Sequence, residues 1–212
     1  KGRYRPYSEK ELINLLIKIK KDLPFWVRVT RIFRDIPLQK ILGGCRISNL
    51  REVVKKEMEK QGLFCKCIRC REIRERYDPQ EKIQLFREDY QASGGREIFL
   101  SFENKERSKL YSYLRLRIPS QIFEKKRHFL PVLENSALIR EVQTFGQLIP
   151  ISKKKLAPQH RGLGKKLIKE AEKITKEEFG LRKISAIAGV GVRNYWRKLG
   201  YKLKDSYMVK KL

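Results

Sequence analysis

A chain of 212 residues with 41% hydrophobic content can bury a real core in one or two domains. Its 51 Lys+Arg against 24 Asp+Glu leave a formal net charge of +27, which points to a polyanionic partner, nucleic acid first and an anionic membrane surface second. No apolar run approaches the roughly 20 residues of a membrane span, and no signal peptide precedes the first helix.

The charge is not a tail. Residues 1–78 carry 21 basic and 10 acidic residues, and residues 79–212 carry 30 and 14, so an electrostatic surface over both halves is expected. A lysine-rich, heat-adapted composition would balance Lys with Glu, which a twofold excess of base does not. The chain opens at Lys1, not at a methionine, and we expect a piece of something longer. Four cysteines, three of them within six residues, do not resemble a disulfide framework and predict a reducing, cytoplasmic setting.

The first predicted element is a helix in SEKELINLLIKIKKDL, residues 8–23. Ser8 and Glu11 form a capping-box pattern, and Leu12, Leu15, Leu16, Ile19 and Leu23 line one face. Pro24 ends it, and FWVRVTRIF reads as a strand, making one α/β unit. A capped amphipathic helix follows over residues 48–62, ending at Gly62, and YDPQE at 77–81 supplies a turn and a domain boundary. Beyond it the pattern becomes strand-rich. IQLFREDYQ, REIFLSFEN after Ser93-Gly94-Gly95, and KLYSYLRLRIP predict adjacent antiparallel strands, and ALIREVQTFGQLIPI predicts a long one interrupted near Gly146.

Residues 157–174, APQHRGLGKKLIKEAEKI, carry Gln159, Gly162 and Gly164 at Q-x-x-G-x-G spacing, directly ahead of an apolar stripe of Leu163, Leu167, Ala171 and Ile174. A glycine-rich loop opening a helix presents unpaired N–H groups at the positive end of the helix dipole, where a phosphate settles. A short strand in KISAIAG, a helix around VRNYWRKLG and a terminal pair of strands complete the chain.

From about residue 80 onward, this order of strands, glycine loop, helix, strand and aromatic-bearing helix resembles the Gcn5-related N-acetyltransferase superfamily. SALIREVQTFG, QHRGLGKKLIKEAEKI, ISAIAGVGVRNYWRKLGY and SYMVKKL are similar to the Elongator catalytic subunits, a family of tRNA-uridine acetyltransferases. PFWVRVTRIFRDIP, SNLRE and CKCIRCREI extend the likeness to the amino-terminal half. The resemblance implies an α+β protein in three parts. Residues 1–60 would be the tail of a radical S-adenosylmethionine domain, 61–78 a cysteine-rich zinc-binding linker, and 79–212 an acetyltransferase-like domain with a mainly antiparallel sheet flanked by helices.

The resemblance also assigns roles. Backbone amides of Leu163, Gly164 and Lys165, with Gln159 and Gly162, would hold the pyrophosphate of acetyl-coenzyme A. Glu141, Val142, Gln143 and Thr144 would face its pantetheine arm and thioester. Trp196 stands where the superfamily often has a tyrosine that protonates the departing thiolate. Indole is a donor only and a negligible acid, so Tyr195 is the alternative for that proton and Trp196 a packing surface for the coenzyme. Gln143 stands where the family commonly has histidine, which leaves His160 and Glu141 as residual candidates for activating water.

Cys65, Cys67 and Cys70 at C-x-C-x-x-C are good zinc ligands, flanked by Lys66, Arg69 and Arg71, which favour thiolate. The spacing is not the C-x-x-x-C-x-x-C of a radical S-adenosylmethionine cluster, so an iron–sulfur cluster and S-adenosylmethionine are expected only outside this chain. The fourth zinc ligand is Cys45 or a group from elsewhere. Reduced cysteines without metal, and redox chemistry, remain the alternatives. Arg28, Arg31, Arg34, Arg69, Arg71 and Arg74 are the candidate tRNA contacts. The expected reaction is acetyl-coenzyme A and tRNA binding with slow thioester hydrolysis, in a homodimer or an Elongator-type complex. The rival readings are a protein lysine acetyltransferase and a non-catalytic, zinc-stapled tRNA-binding module.

Overall fold

The computed structural model describes residues 2, 4–32, 36–73, 78, 80–146 and 162–212. Two compact units divide the chain, Lys1–Glu72 and Ile73–Leu212.

The first unit is helical. Helix α1, Glu9–Lys21, starts on the expected capping box: the Glu11 N–H donates to Ser8 Oγ at 3.3 Å, and the Ser8 N–H donates to Glu11 Oε2 at 2.8 Å. Its buried face differs from the periodicity. Ile17 and Lys20 are buried, whereas Leu15 and Ile19 stand largely exposed. The helix is rotated so that Lys20, not Ile19, points inward. Helix α2, Leu50–Lys60, ends where Gly62 was expected to stop it. There the Gly62 and Leu63 N–H groups donate to the Glu59 and Met58 carbonyls at 3.0 and 2.9 Å, the pattern of a Schellman stop.

The strand expected in FWVRVTRIF does not form over residues 25–32. A strand needs a ladder partner, and here the carbonyls take other donors. Arg71 donates to Phe25 O at 2.7 Å, Ile68 N–H to Val27 O at 2.9 Å, and Arg51 to Val29 O at 3.0 Å. A short helix, α3 at Ile68–Arg71, follows the first two clustered cysteines. Cys65 and Cys67 pack with Leu50, Val54 and Met58 in this unit's own core.

The second unit is built on one sheet. Its strands are β1 (Ile83–Ala92), β2 (Gly95–Asn104), β3 (Leu110–Ile118), β4 (Ala137–Thr144), β5 (Lys183–Ile187), β6 (Lys202–Lys204) and β7 (Tyr207–Lys211). Their order is β1-β2-β3-β4-β5-β7-β6, antiparallel throughout except where β4 meets β5. Short helix α4, Ser120–Glu124, was not anticipated; its five residues are too few to show a period. β4 is shorter than expected, with Phe145 and Gly146 already outside it, and the rest of ALIREVQTFGQLIPI lies beyond the described residues.

Helix α5, Leu163–Glu177, lies on the sheet through Leu167, Ile168, Ala171 and Ile174, packed with Leu114, Leu116, Ile139 and Ile184. Each such fully buried aliphatic side chain stabilises by about 1.5–3 kcal/mol relative to exposure. The opposite face is aromatic and ionic. Phe99 stacks on Tyr113 with centroids 5.4 Å apart, and the buried Glu97 carboxylate takes Arg117 at 3.0 Å and Arg140 at 2.7 Å.

Candidate functional site

β4 and β5 run parallel, and they pair only from Ala137–Ile139 against Ile184–Ala186. The register of β4 against β3 jumps there, from Leu116 opposite Ile139 to Arg115 opposite Glu141, so Arg140 is the extra residue of a bulge. Past the bulge the strands diverge. Among the described residues, the main-chain groups of Glu141–Thr144 that would have met β5 have no strand partner on that side and border a cleft.

Helix α5 begins at the mouth of that opening. Its N-cap is Gly162, at φ 68° and ψ 20°, a left-handed conformation that suits glycine and supplies no side chain to cap the first-turn amides. A cavity of about 440 Å³ is lined by Arg140, Glu141, Val142, Thr144, Gly162, Gly164, Lys165, Ile187, Val192, Tyr195 and Trp196. The cleft thus gathers most of the positions singled out from sequence. Gln159 and His160 lie outside the described residues. A β-carbon on Gly164 would be in ordinary contact, 3.5 Å from both Thr144 Oγ1 and the Tyr195 hydroxyl, so only a larger side chain there would fill the cleft.

The two aromatics of α6, Arg193–Arg197, divide their roles. Trp196 is 2% exposed, edge-on to Tyr201 at 4.8 Å, and serves as the floor of the cleft. Tyr195 stands at its mouth, 36% exposed, and partial burial raises its phenol above the ordinary value. The phenol is therefore protonated throughout the neutral range. Alternation along β4 sends Glu141 and Gln143 to the aromatic face. The Glu141 carboxylate accepts from Tyr113 and lies 3.1 Å from Arg115 Nε, and Tyr113 reaches Gln143 Oε1 at 3.2 Å. Glu141, so engaged, is not free to act as a base. Val142 and Thr144 point the other way, Thr144 sharing a hydrogen bond with Ser112 at 2.9 Å. Arg140, Ile187 and Val192 were missed; the splay that exposes them depends on strand register, which one strand's sequence does not display.

In the first unit, one ligand atom each from Cys65, Cys67 and Cys70 lies within 4.8 Å of the others. Tetrahedral zinc, with Zn–S near 2.3 Å, needs sulfurs about 3.8 Å apart, so the trio fits. Cys45 is outside the cluster and packs against the core. Lys20 is a polar neighbour of the cluster, 2% exposed, with Nζ 3.5 Å from Cys70 Sγ. Burial pulls its pKa down, but the charge of Cys70, Cys65 and Cys67 outweighs that and raises it. Among the thiols, hydrogen bonding with Cys65 and Cys70 pulls Cys67 far below the usual thiol range, while hydrogen bonding to Cys67 and Cys70, with burial, pushes Cys65 up. A buried ammonium beside three sulfurs marks an anionic cluster.

The candidate RNA contacts divide as well. Arg71 is 1% exposed. It donates to Lys66 O at 2.6 Å and Phe25 O at 2.7 Å and covers the Phe25 ring, so it holds the fold and cannot reach a phosphate. Arg28 pairs with buried Glu72 at 2.7 Å. Arg31 and Arg69 are exposed, and Arg34 and Arg74 lie outside the described residues.

The second unit is an α+β domain whose parallel strands part at an anion-ready helix start; the first is a helical unit with a metal-competent thiol cluster. Comparison with known proteins bears on both. Residues 1–60 match the Radical_SAM C-terminal domain family. The whole chain is 46% identical to a tRNA uridine(34) acetyltransferase of Methanocaldococcus jannaschii and 39% identical to Elongator complex protein 3 of Saccharomyces cerevisiae, covering 40% and 38% of those proteins. A solved structure of Methanocaldococcus infernus Elp3 with an N-terminal deletion superposes with TM-score 0.86 at 45% identity, over all of this chain and 50% of that one. These proteins are similar to the chain over its whole length, and the chain spans about 40% of the length of the curated relatives it matches. Among the described residues no helix is long and apolar enough to cross a membrane.

Proposed function

We propose that the second unit is a Gcn5-related N-acetyltransferase domain that binds acetyl-coenzyme A in the β4/β5 cleft and serves a tRNA wobble-uridine modifying enzyme. The observation that carries this reading is the coincidence of three features. They are an uncapped helix start at Gly162, the unpaired edge of Glu141–Thr144, and a protonated phenol at Tyr195.

The residues fit the group. First-turn amide N–H groups of Leu163, Gly164 and Lys165 would donate to the diphosphate, with the Lys165 ammonium adding charge. The open edge of β4 would pair with the amides of the pantetheine arm, as a missing strand would. When bound, the coenzyme supplies an activated acetyl thioester. Val142, Trp196 and Ile187 exclude water from the thioester end, and Tyr195 holds the proton that a departing thiolate requires. Carboxymethyl-type chemistry would further need a radical half carrying S-adenosylmethionine and an iron–sulfur cluster, outside this chain; the match of residues 1–60 to a Radical_SAM C-terminal domain supports that division. Zinc held by Cys65, Cys67 and Cys70 would be structural, and tRNA the nucleic-acid partner, in the cytoplasm, in a homodimer or an Elongator-type assembly.

Titration calorimetry with acetyl-coenzyme A tests the reading. Wild type should bind, and Gly164→Trp, which fills the space before Thr144 and Tyr195, should lower affinity at least ~tenfold while leaving tRNA affinity unchanged. Equal binding by both proteins would show that the cleft is not the site.

A further inference from the structure

At the end of the second unit away from the cleft, α4 runs into an exposed segment, Lys125-Lys126-Arg127-His128-Phe129. Phe129 is 80% exposed, an unusual position for so large an apolar ring. It is not loose. Its ring stacks on His128 with centroids 4.6 Å apart at 23°. His128 is itself fixed, because its Nδ1 accepts the Leu130 N–H at 3.0 Å, which leaves the ring proton on Nε2. The segment is pinned on both sides: Ile122 packs on the main core, Phe123 meets Phe179 edge-on at 6.4 Å, and Leu130 packs with Val132, Leu133 and Leu138.

Around this ring pair the charge is basic. Lys126 pairs with Glu124 at 2.9 Å, both well exposed, whereas Lys125 and Arg127 are exposed with no ion pair among the described residues. An aromatic face held open to solvent and flanked by unpaired cations is the equipment for binding an unpaired nucleotide strand, bases stacking on the ring and phosphates meeting the cations. An acidic peptide or a vesicle surface would use the cations but has no planar group for the ring.

We infer that Phe129, backed by His128 and flanked by Lys125 and Arg127, is a stacking platform for a single-stranded segment of RNA, a second RNA contact separate from the cleft. Phe179 follows the last turn of α5, whose 15 residues at about 1.5 Å each put some 22 Å between this end and the helix start at Gly162. An RNA bound here therefore leaves the cleft free. The inference rests on the RNA reading above.

The test compares binding of a short mixed-sequence RNA strand with an abasic strand of the same length, using the whole chain. Wild type should prefer the base-bearing strand by ~tenfold, the worth of one stacked base. Phe129→Ala should erase that preference and leave the abasic affinity and acetyl-coenzyme A binding as they were. Lys125→Ala/Arg127→Ala should weaken both strands and reduce the salt dependence by about two phosphates' worth. A Phe129→Ala protein that keeps the preference, or tighter capture of phosphatidylserine vesicles than of RNA through these residues, overturns the platform alone. Wild type binding neither strand nor tRNA overturns the RNA reading and the platform with it.

Discussion

Tyr195 and Trp196 are adjacent in sequence and opposite in circumstance. The phenol opens on the cleft and the indole closes its floor, because neighbouring helical residues point about 100° apart. Tyr195→Phe should therefore leave acetyl-coenzyme A affinity near wild type and cut thioester turnover by about 10²-fold, the lower end for a lost general acid, read by thiol release. Since burial raises the phenol's pKa, the acid form persists through neutral pH and is lost only above the ordinary phenol range. A rate that falls between pH 7 and 9 would argue against Tyr195 as the donor. Lys20 is the second residue with an unusual charge environment. Were Cys65, Cys67 and Cys70 to hold zinc as thiolates, the three charges against a divalent ion would leave a net negative charge, which the Lys20 ammonium, 3.5 Å from Cys70, would offset. Lys20→Met should release metal to a competing chelator about 10–100-fold more readily, as loss of a supporting contact does, and Lys20→Arg should restore part of the retention. Both proteins should lose metal more easily as pH falls, since protons compete for the thiols.

At the level of elements, the β1–β2 hairpin shows how tightly local chemistry is specified. Ser93 and Gly94, both at positive φ, make a two-residue turn closing Ala92 onto Gly95. A β-carbon on Gly95 would fall 2.5 Å from the Ile118 carbonyl oxygen, so β2 and the end of β3 approach as only glycine permits. Gly95→Ala should cost about 1–3 kcal/mol in a denaturant melt, in the range of overpacking at a close backbone contact; an unchanged midpoint would mean that Ile118 yields. This hairpin was readable in the sequence, because its turn residues and flanking alternation are local. Helix α1 was readable only in part. Its capping box and length follow from Ser8 and Glu11, but Leu15 and Ile19 read as core and are exposed, while Lys20 reads as surface and is buried. Hydropathy cannot register a lysine drawn inward by cysteines some fifty residues along the chain. The strand expected at residues 25–32 failed for a similar reason, since its carbonyls are taken by Arg51 and Arg71.

For the molecule as a whole, the formal +27 is divided between structure and surface. Arg71, Arg107 and Arg117 bind carbonyls and carboxylates within the fold, whereas Arg31, Arg69, Lys125 and Arg127 face outward. Composition led us to expect a polyanion partner but could not say which cations would be available to it. The glycine loop led us to expect a phosphate site, yet the cavity also needs the one-residue bulge at Arg140, which belongs to the pairing of two strands and to neither sequence alone. That bulge has a wider consequence. Upstream of it Ile139 faces the helix side; beyond it the alternation is offset by one, so Val142 still packs inward and Glu141 still reaches Tyr113. Deleting Arg140 would leave plain alternation carrying Ile139 and Val142 inward and Glu141 outward, so the core would keep its faces and the strand would lose only the extra residue at which its pairing with β5 stops. In this strand the buried face is therefore indifferent to the inserted residue, and the open side alone rests on it.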